Sequence, residues 1–162
     1  MKNKNLNAQL SSKTDNWSTP KWLLKELEKT FGKFDYDPCP LDNNYNNTLF
    51  DDWKGNVFVN PPYSNVKEFL NKALLEIKKG NCKQAIFLII PRTSTKYWRD
   101  YVMKYATRIY FFDKRLKFGD SKSSAPFPSC VVVFRDLNKN EYTPCYTWSL
   151  ENADLSQIKK EE

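Results

Sequence analysis

The hydrophobic positions of this chain change period from one segment to the next. Apolar residues recur every three or four positions in three stretches, which predicts amphipathic helices at 20–31, 66–77 and 97–105. Compact or alternating apolar runs predict strands at 34–37, 56–60, 85–90, 108–112 and 130–134. Strands that alternate with helices are typical of an α/β domain with a mostly parallel central sheet flanked by helices.

The two ends of the chain lack this pattern. Residues 1–14 are rich in Asn, Lys and Ser and predict a flexible tail. The ordered domain is expected at 15–136, with a polar C-terminal extension at 137–162. No apolar run approaches the roughly 18 residues of a membrane span, and the N-terminus lacks a signal-peptide core. We therefore expect a soluble cytoplasmic protein.

Polar or proline-containing segments follow three of the predicted strands, at 37–39, 60–63 and 91–93. In sheets of this kind, ligands bind at the carboxyl ends of the strands. We therefore expect these three segments to lie along one edge of the sheet and to carry the chemistry.

Composition excludes several kinds of site. The chain has no histidine, four scattered glycines and four cysteines without a Cys-x-x-Cys pair. Serine-protease-like triads, His-containing zinc sites and glycine-rich phosphate loops are therefore excluded. We expect no metal site and no disulfide framework.

The formal net charge is +7, and its distribution is uneven. Residues 83–122 contain ten basic side chains and three aspartates, so this stretch accounts for the whole excess. Such a concentration indicates an anionic partner such as nucleic acid, although an ordinary solvated face would carry the same charge.

The most specific signal is Asn60-Pro61-Pro62-Tyr63, the NPPY motif, placed directly after a buried strand. It resembles the [DNS]PP[YFW] motif of amino-methyltransferases that use S-adenosylmethionine (SAM). The resemblance is closer to the small phage-type DNA N6-adenine methyltransferases and covers roughly residues 15–135. The segments that carry it, besides the motif, are 17–20, 34–39, 52–53, 115–118 and 129–134. It implies a minimal Rossmann-like methyltransferase fold, SAM as cofactor and DNA as substrate.

The motif has a physical logic of its own. An exocyclic amino group on a purine is a poor nucleophile, because its lone pair is delocalised into the ring. The Asn60 side-chain carbonyl and the Pro61 backbone carbonyl can accept its two N–H groups and direct the lone pair. Pro62 stiffens the backbone that holds the carbonyl, and Tyr63 can stack on a flipped base. We expect these four residues to be catalytic.

The resemblance also implies a cofactor site. Asp37-Pro38-Cys39 keeps the opening of the family's first-strand motif but not its glycines, and Asp37 is the candidate partner of the methionine ammonium. Other candidates for SAM contact are Trp17, Thr19, Pro20 and Asn60. Asp52 is the candidate acceptor for the adenine amino group of SAM, with Asp51 as its competitor. Helix capping by Thr19 and turn formation by Asp37 are the structural alternatives.

The basic stretch supplies candidate contacts to DNA, expected to be double-stranded. These are Arg92, Lys96, Arg115, Lys117 and Lys122. The loop at 113–129 is the candidate for reading the DNA sequence, because no separate recognition domain fits in this length. The alternatives are methylation of cytosine N4, of RNA adenine or of a glutamine amide, and a noncatalytic DNA-binding protein that has lost SAM.

Overall fold

The computed structural model describes residues 18–41, 45–117, 125–137 and 143–149. Its helices are α1 (Lys21–Phe31), α2 (Tyr45–Thr48), α3 (Val66–Lys78), a π-helical turn (Trp98–Val102) and α4 (Met103–Tyr105). Its strands are β1 (Gly55–Val59), β2 (Cys82–Ile89), β3 (Arg108–Phe112), β4 (Cys130–Phe134) and β5 (Cys145–Trp148). The predicted tail at 1–14 and the candidates Trp17 and Lys122 lie outside the described residues.

The five strands form one mixed sheet in the order β1-β2-β4-β3-β5. The β1–β2 and β3–β5 pairs are parallel, whereas β4 is antiparallel to both of its neighbours. The α/β class is confirmed, but the sheet is less parallel than the alternating pattern predicted. The reason lies between β3 and β4, where the sequence has no helical period. A parallel return would need a crossover, usually a helix, and an antiparallel one does not.

Helices cover both faces of this sheet. On one face, α3 and the π-helical turn bury side chains such as Phe69, Leu70 and Trp98 against the inward residues of β1, β2 and β4. On the other face, Leu23 and Leu27 of α1 pack with the alternate strand residues and with β5. The continuous apolar strands follow from this arrangement, because both of their faces are covered.

Several element boundaries differ from the prediction. The segment 34–37 is joined to β1 by a single bridge, between Tyr36 and Val57. The segment 39–52, for which the apolar pattern predicts neither helix nor strand, contains α2, and the expected polar extension contributes β5. The helix predicted from position 20 begins at Lys21, so Pro20 occupies the N-cap and Thr19 lies outside the helix.

The register places the three polar segments at the same edge of the sheet, as predicted. Tyr36 lies beside Val57 in parallel, Val59 beside Phe87, and Ile89 beside Cys130. Segments 37–39, 60–63 and 91–93 therefore leave the sheet on one side. Because β4 is antiparallel, Ser129 at its beginning lies at this edge too. Within the described residues, no helix is long and apolar enough to cross a membrane.

Candidate active site

The NPPY motif forms the connection between β1 and α3. Strand β1 is buried at its end, and burial continues through Asn60, Pro61 and Pro62. Tyr63 is half-buried. The carbonyl of Pro62 accepts a hydrogen bond from the Asn65 backbone N–H at 3.0 Å, which turns the chain into α3. The motif is thus held between a buried strand and a buried helix.

The Asn60 side chain is positioned by a contact distant in sequence. Its Nδ2 donates to Thr19 Oγ1 at 3.1 Å. Because Nδ2 is held on the Thr19 side, the Oδ1 of the same amide faces the other way. The structural alternative of a Thr19 helix cap is wrong, since the N-cap is Pro20 and no side chain caps this helix. Thr19 instead orients the amide that the motif needs.

Asp37, Pro38 and Cys39 form a tight turn beside the motif. Asp37 Oδ1 accepts a hydrogen bond from the Cys39 backbone N–H at 2.8 Å. Pro38 and Cys39 are buried, while Asp37 keeps an exposed surface. Burial of its carboxyl group raises the pKa of Asp37, and the Cys39 N–H opposes that rise. Burial, followed by the Asp37 charge, raises the pKa of the Cys39 thiol, so this cysteine is an unreactive part of the core.

The two competing aspartates, Asp51 and Asp52, have different surroundings in the structure. Asp51 Oδ2 accepts a hydrogen bond from the Tyr36 hydroxyl at 3.2 Å. Burial, with Asp51 adding to it, raises the pKa of Tyr36 to about 12. Asp52 lines a cavity of about 460 Å³ with Asp35, Tyr36 and residues 54–55, beside the start of β1. Tyr36 is a further candidate that the sequence pattern did not identify, and its only signal in the sequence is its place before Asp37.

The end of β2 supplies a basic side chain to the same edge. The Arg92 backbone carbonyl accepts from the Thr95 N–H at 3.0 Å and from the Thr95 hydroxyl at 2.7 Å, which fixes the turn. The exposed Arg92 guanidinium lies 5.9 Å from the centroid of the Phe127 ring. Phe127 was also missed, although its position between Pro126 and Pro128 marks a rigid segment. Lys96 is exposed one residue after Thr95.

The described ends of the 113–129 loop are held together. The Ala125 N–H donates to the Leu116 carbonyl at 2.7 Å, and both side chains are buried with α1. Arg115 and Lys117 flank Leu116 and are exposed. Because side chains alternate in direction along this segment and Leu116 points into the core, Arg115 and Lys117 point to solvent.

Charge is divided between the two halves of the edge. The carboxylates of Asp37 and Asp51 belong to the segments before β1, whereas Arg92, Arg115 and Lys117 follow the strands in the middle of the sheet. The NPPY motif leaves the sheet between them. Such an edge suits a cationic ligand on one side and an anionic one on the other. Among the described residues, no group of three potential ligands could hold a metal ion.

Similarity to known proteins extends over most of the chain. A family model described as DNA N-6-adenine-methyltransferase (Dam) matches residues 7–157. The DNA N-6-adenine-methyltransferase of Haemophilus phage HP1 (strain HP1c1) is 32% identical over 145 residues, covering 79% of this chain and 82% of that protein. The DNA N-6-adenine-methyltransferase of Escherichia phage T1 is 28% identical over 113 residues, covering 63% of this chain and 46% of that protein.

Proposed function

The chain belongs to the DNA N-6-adenine-methyltransferase (Dam) family, and from that membership we propose that it methylates N6 of adenine in DNA with SAM as the donor. The observation that carries the proposal is the position of Asn60. It is buried at the end of β1, and its amide is oriented by Thr19. A binding module has no need of a preorganised acceptor for an amino group at this place.

In the proposed reaction, the flipped adenine presents its N6 amino group to two carbonyl oxygens. Asn60 Oδ1 and the Pro61 backbone oxygen accept its N–H groups and favour a pyramidal nitrogen. Tyr63 stacks on the base. The new N–C bond forms as the C–S bond of the donor breaks, and the surplus proton of the amino group leaves to water. Orientation replaces a general base in this scheme, which agrees with a chain that has no histidine.

The residues beside the motif fit SAM by their charge. When bound, SAM supplies an electrophilic methyl group on a sulfonium and brings a second cationic group, its ammonium. Burial raises the pKa of Asp37, and a neighbouring cation would stabilise its ionised carboxylate. We therefore assign Asp37 to the ammonium of SAM. Asp52 and its competitor Asp51 stay the proposed acceptors for the adenine amino group of SAM, and Asp52 lines the cavity beside the start of β1, at the other end of that strand from the motif. Trp17, Thr19, Pro20, Pro38 and Cys39 complete the proposed site.

We assign the opposite half of the edge to double-stranded DNA. Arg92, Lys96, Arg115, Lys117 and Lys122 are its proposed phosphate contacts. Of the described segments, the one with Arg92 and Lys96 follows β2, the neighbour of β1, and the one with Arg115 and Lys117 follows β3, two strands further along the sheet. We further propose that the mixed sheet is a reduced Rossmann-like methyltransferase fold, and that the protein acts in the cytoplasm of a bacterial host cell.

The test is incubation with SAM labelled on the methyl group and separate pools of duplex DNA, RNA and protein. We expect label in DNA, recovered as N6-methyladenine after digestion. The Asn60→Ala variant should lose about 2.7–4 kcal/mol of transition-state stabilisation, as for other preorganised polar contacts. Label on cytosine N4 or in RNA would show that the substrate is not adenine in DNA. Absence of SAM binding in calorimetry would show a noncatalytic protein.

A further inference from the structure

A groove runs between two helical segments on one face of the sheet. It has a volume of about 700 Å³. One wall is a stripe of α3 that runs from Lys67 to Lys78. The other is the segment 96–105, which presents Tyr97, Tyr101 and Tyr105. Neither the NPPY motif nor the proposed SAM site uses this groove.

The groove is basic at its rim, and its interior is lined by three tyrosines together with Leu74, Leu75 and Leu137. Lys67, Lys78 and Lys96 are exposed, whereas the three tyrosines are half-buried. The acidic residue in its lining, Asp100, is bonded to Arg99 at 2.8 Å, so its charge is compensated. Cations that flank aromatic rings are the combination that binds single-stranded nucleic acid. A duplex would use the cations but would leave the aromatic faces without a stacking partner.

One end of the groove opens beside the acceptor edge. Helix α3 begins three residues after Tyr63, and Lys96 follows Arg92 by four residues. Lys67 and Lys78 are eleven positions apart on one helix, which corresponds to about 16 Å at 1.5 Å per residue. A duplex strand rises about 3.4 Å per nucleotide and an unpaired strand is at least as extended, so that length accommodates up to roughly five nucleotides.

We propose that this groove binds an unpaired DNA strand of up to about five nucleotides that continues from the acceptor site. This inference rests on the proposed function for the identity of its ligand. Lysines 67, 78 and 96 contact phosphates spaced along this strand, and bases pack on Tyr101 and Tyr105. The groove thereby gives the enzyme a preference for adenines next to unpaired DNA, such as gaps, tails or forks.

The direct test compares a blunt duplex with the same duplex carrying an unpaired tail of about six nucleotides on either strand. Fluorescence anisotropy should show that one tail polarity raises the affinity of the wild-type protein about tenfold, the effect of one well-stacked base. Tyr101→Ala should lose this gain, whereas Tyr101→Phe should keep it. Equal binding of tailed and blunt DNA by the wild-type protein would overturn the proposal.

A pair of lysine substitutions tests the phosphate contacts. The double variant Lys67→Ala/Lys78→Ala should reduce the slope of log affinity against log salt by about 1.4 on tailed DNA, at about 0.7 per single-strand phosphate. The control is Lys25→Ala/Lys33→Ala, two exposed lysines in and after α1, with the same loss of charge. Equal slopes for the two double variants would contradict the proposal.

Two further measurements distinguish a single-strand groove from a duplex site and from a dimer interface. If the lysine pair weakens binding to blunt duplex as strongly as to tailed DNA, the groove holds duplex backbone and the unpaired-strand proposal is wrong. If sedimentation shows a wild-type dimer that Leu75→Asp dissociates, a second copy covers the groove and the proposal is wrong. Methyl transfer is measured in parallel. Its absence would refute the proposed function, whereas the effect of the tail on binding tests the groove independently.

Discussion

At the scale of single residues, the two ends of the Asn60 amide have different tasks. The Nδ2 end donates to Thr19 Oγ1 at 3.1 Å, and this contact joins positions 41 residues apart. The Oδ1 end is the proposed acceptor for the adenine amino group. A planar amide can rotate by a half-turn and exchange the two ends, so a fixed donor contact determines which atom faces the substrate.

Replacement of Thr19 by valine should therefore lower catalysis. Valine has a similar shape but cannot accept the hydrogen bond, and loss of about 1–1.5 kcal/mol of orientation corresponds to a kcat about tenfold lower. Thr19→Ser keeps a hydroxyl and should stay near wild type. The measurement is the initial rate of methyl transfer at saturating SAM and DNA. Equal kcat for the valine and wild-type enzymes would show that Thr19 does not orient Asn60.

The raised pKa of Asp37 predicts how SAM binding responds to pH. Burial favours the neutral acid, so the carboxyl takes up its proton at a higher pH than an ordinary aspartate. The ionised form is the one that attracts the ammonium of SAM. The Kd for SAM should therefore rise as pH falls through the raised pKa. Asp37→Asn should bind weakly at every pH and should lack this dependence.

Calorimetric titration from about pH 4, close to the ordinary aspartate pKa, up to about pH 8 checks this prediction. The control is Asp100→Asn, an exposed carboxylate on the groove side of the protein. It should keep the wild-type pH profile. A wild-type profile in the Asp37→Asn variant would remove Asp37 from the site and favour its role as a turn former.

At the scale of elements, the C-terminal end of α3 depends on a buried carboxylate. Glu76 is 0% exposed and accepts hydrogen bonds at 2.9 Å from Lys72 Nζ, Lys79 Nζ and Asn81 Nδ2. Burial opposes its charge, but these donors outweigh burial and lower the pKa of Glu76 to about 2. The cluster joins the end of α3 to the turn that starts β2.

The sign of this shift predicts an acid-sensitive element. A folded-state pKa below the unfolded value stabilises the protein above the unfolded pKa, and the contribution is lost as pH falls from about 4.5 towards 2. Glu76→Gln should cost about 3 kcal/mol at neutral pH and flatten this part of the stability profile. Urea unfolding at several pH values measures both effects. Glu68→Gln, exposed on the first turn of α3, is the control and should change little.

The elements differ in how much of them could be predicted from the sequence. Helix α3 was predictable because its apolar stripe repeats over three turns, and the NPPY motif was predictable because its chemistry is local. Strand β5 was not predictable, because only one of its four residues, Trp148, is buried. The direction of β4 and the Thr19–Asn60 contact also escaped, because both depend on packing between segments distant along the chain.

At the scale of the whole molecule, the charge excess of +7 is not spread evenly around the sheet. Asp37, after the segment that pairs with β1, contributes an acidic group to the edge that carries the NPPY motif, and the segments after β2 and β3 contribute basic ones. The NPPY motif lies at the boundary between them. A cationic donor and an anionic acceptor can therefore approach one reaction centre from opposite sides without competing for the same groups.

The layer beneath α1 connects overall stability with this reaction centre. Trp148 of β5 is 2% exposed and packs on Tyr110 and Phe112, with ring centroids 6.2 and 5.3 Å away. It belongs to the same buried cluster as Leu23 and Leu27 of α1. Helix α1 in turn follows Thr19, which holds Asn60. Loosening of β5 should thus reach the acceptor site through α1.

Removal of the Trp148 ring should therefore affect both stability and catalysis. Trp148→Ala should lower the free energy of unfolding by about 3–5 kcal/mol, as for other large-to-small changes in a core. Trp148→Phe should cost much less, because it keeps an aromatic ring and removes Nε1, a buried donor without a hydrogen-bond partner in the described structure. Thr147→Ala, at an exposed position of the same strand, is the control. In the alanine variant, both the free energy of unfolding measured in urea and the kcat should be lower than in the wild type. The kcat should be lower even at temperatures where the variant is still folded. A destabilised variant with wild-type kcat would show that the acceptor site is independent of this layer.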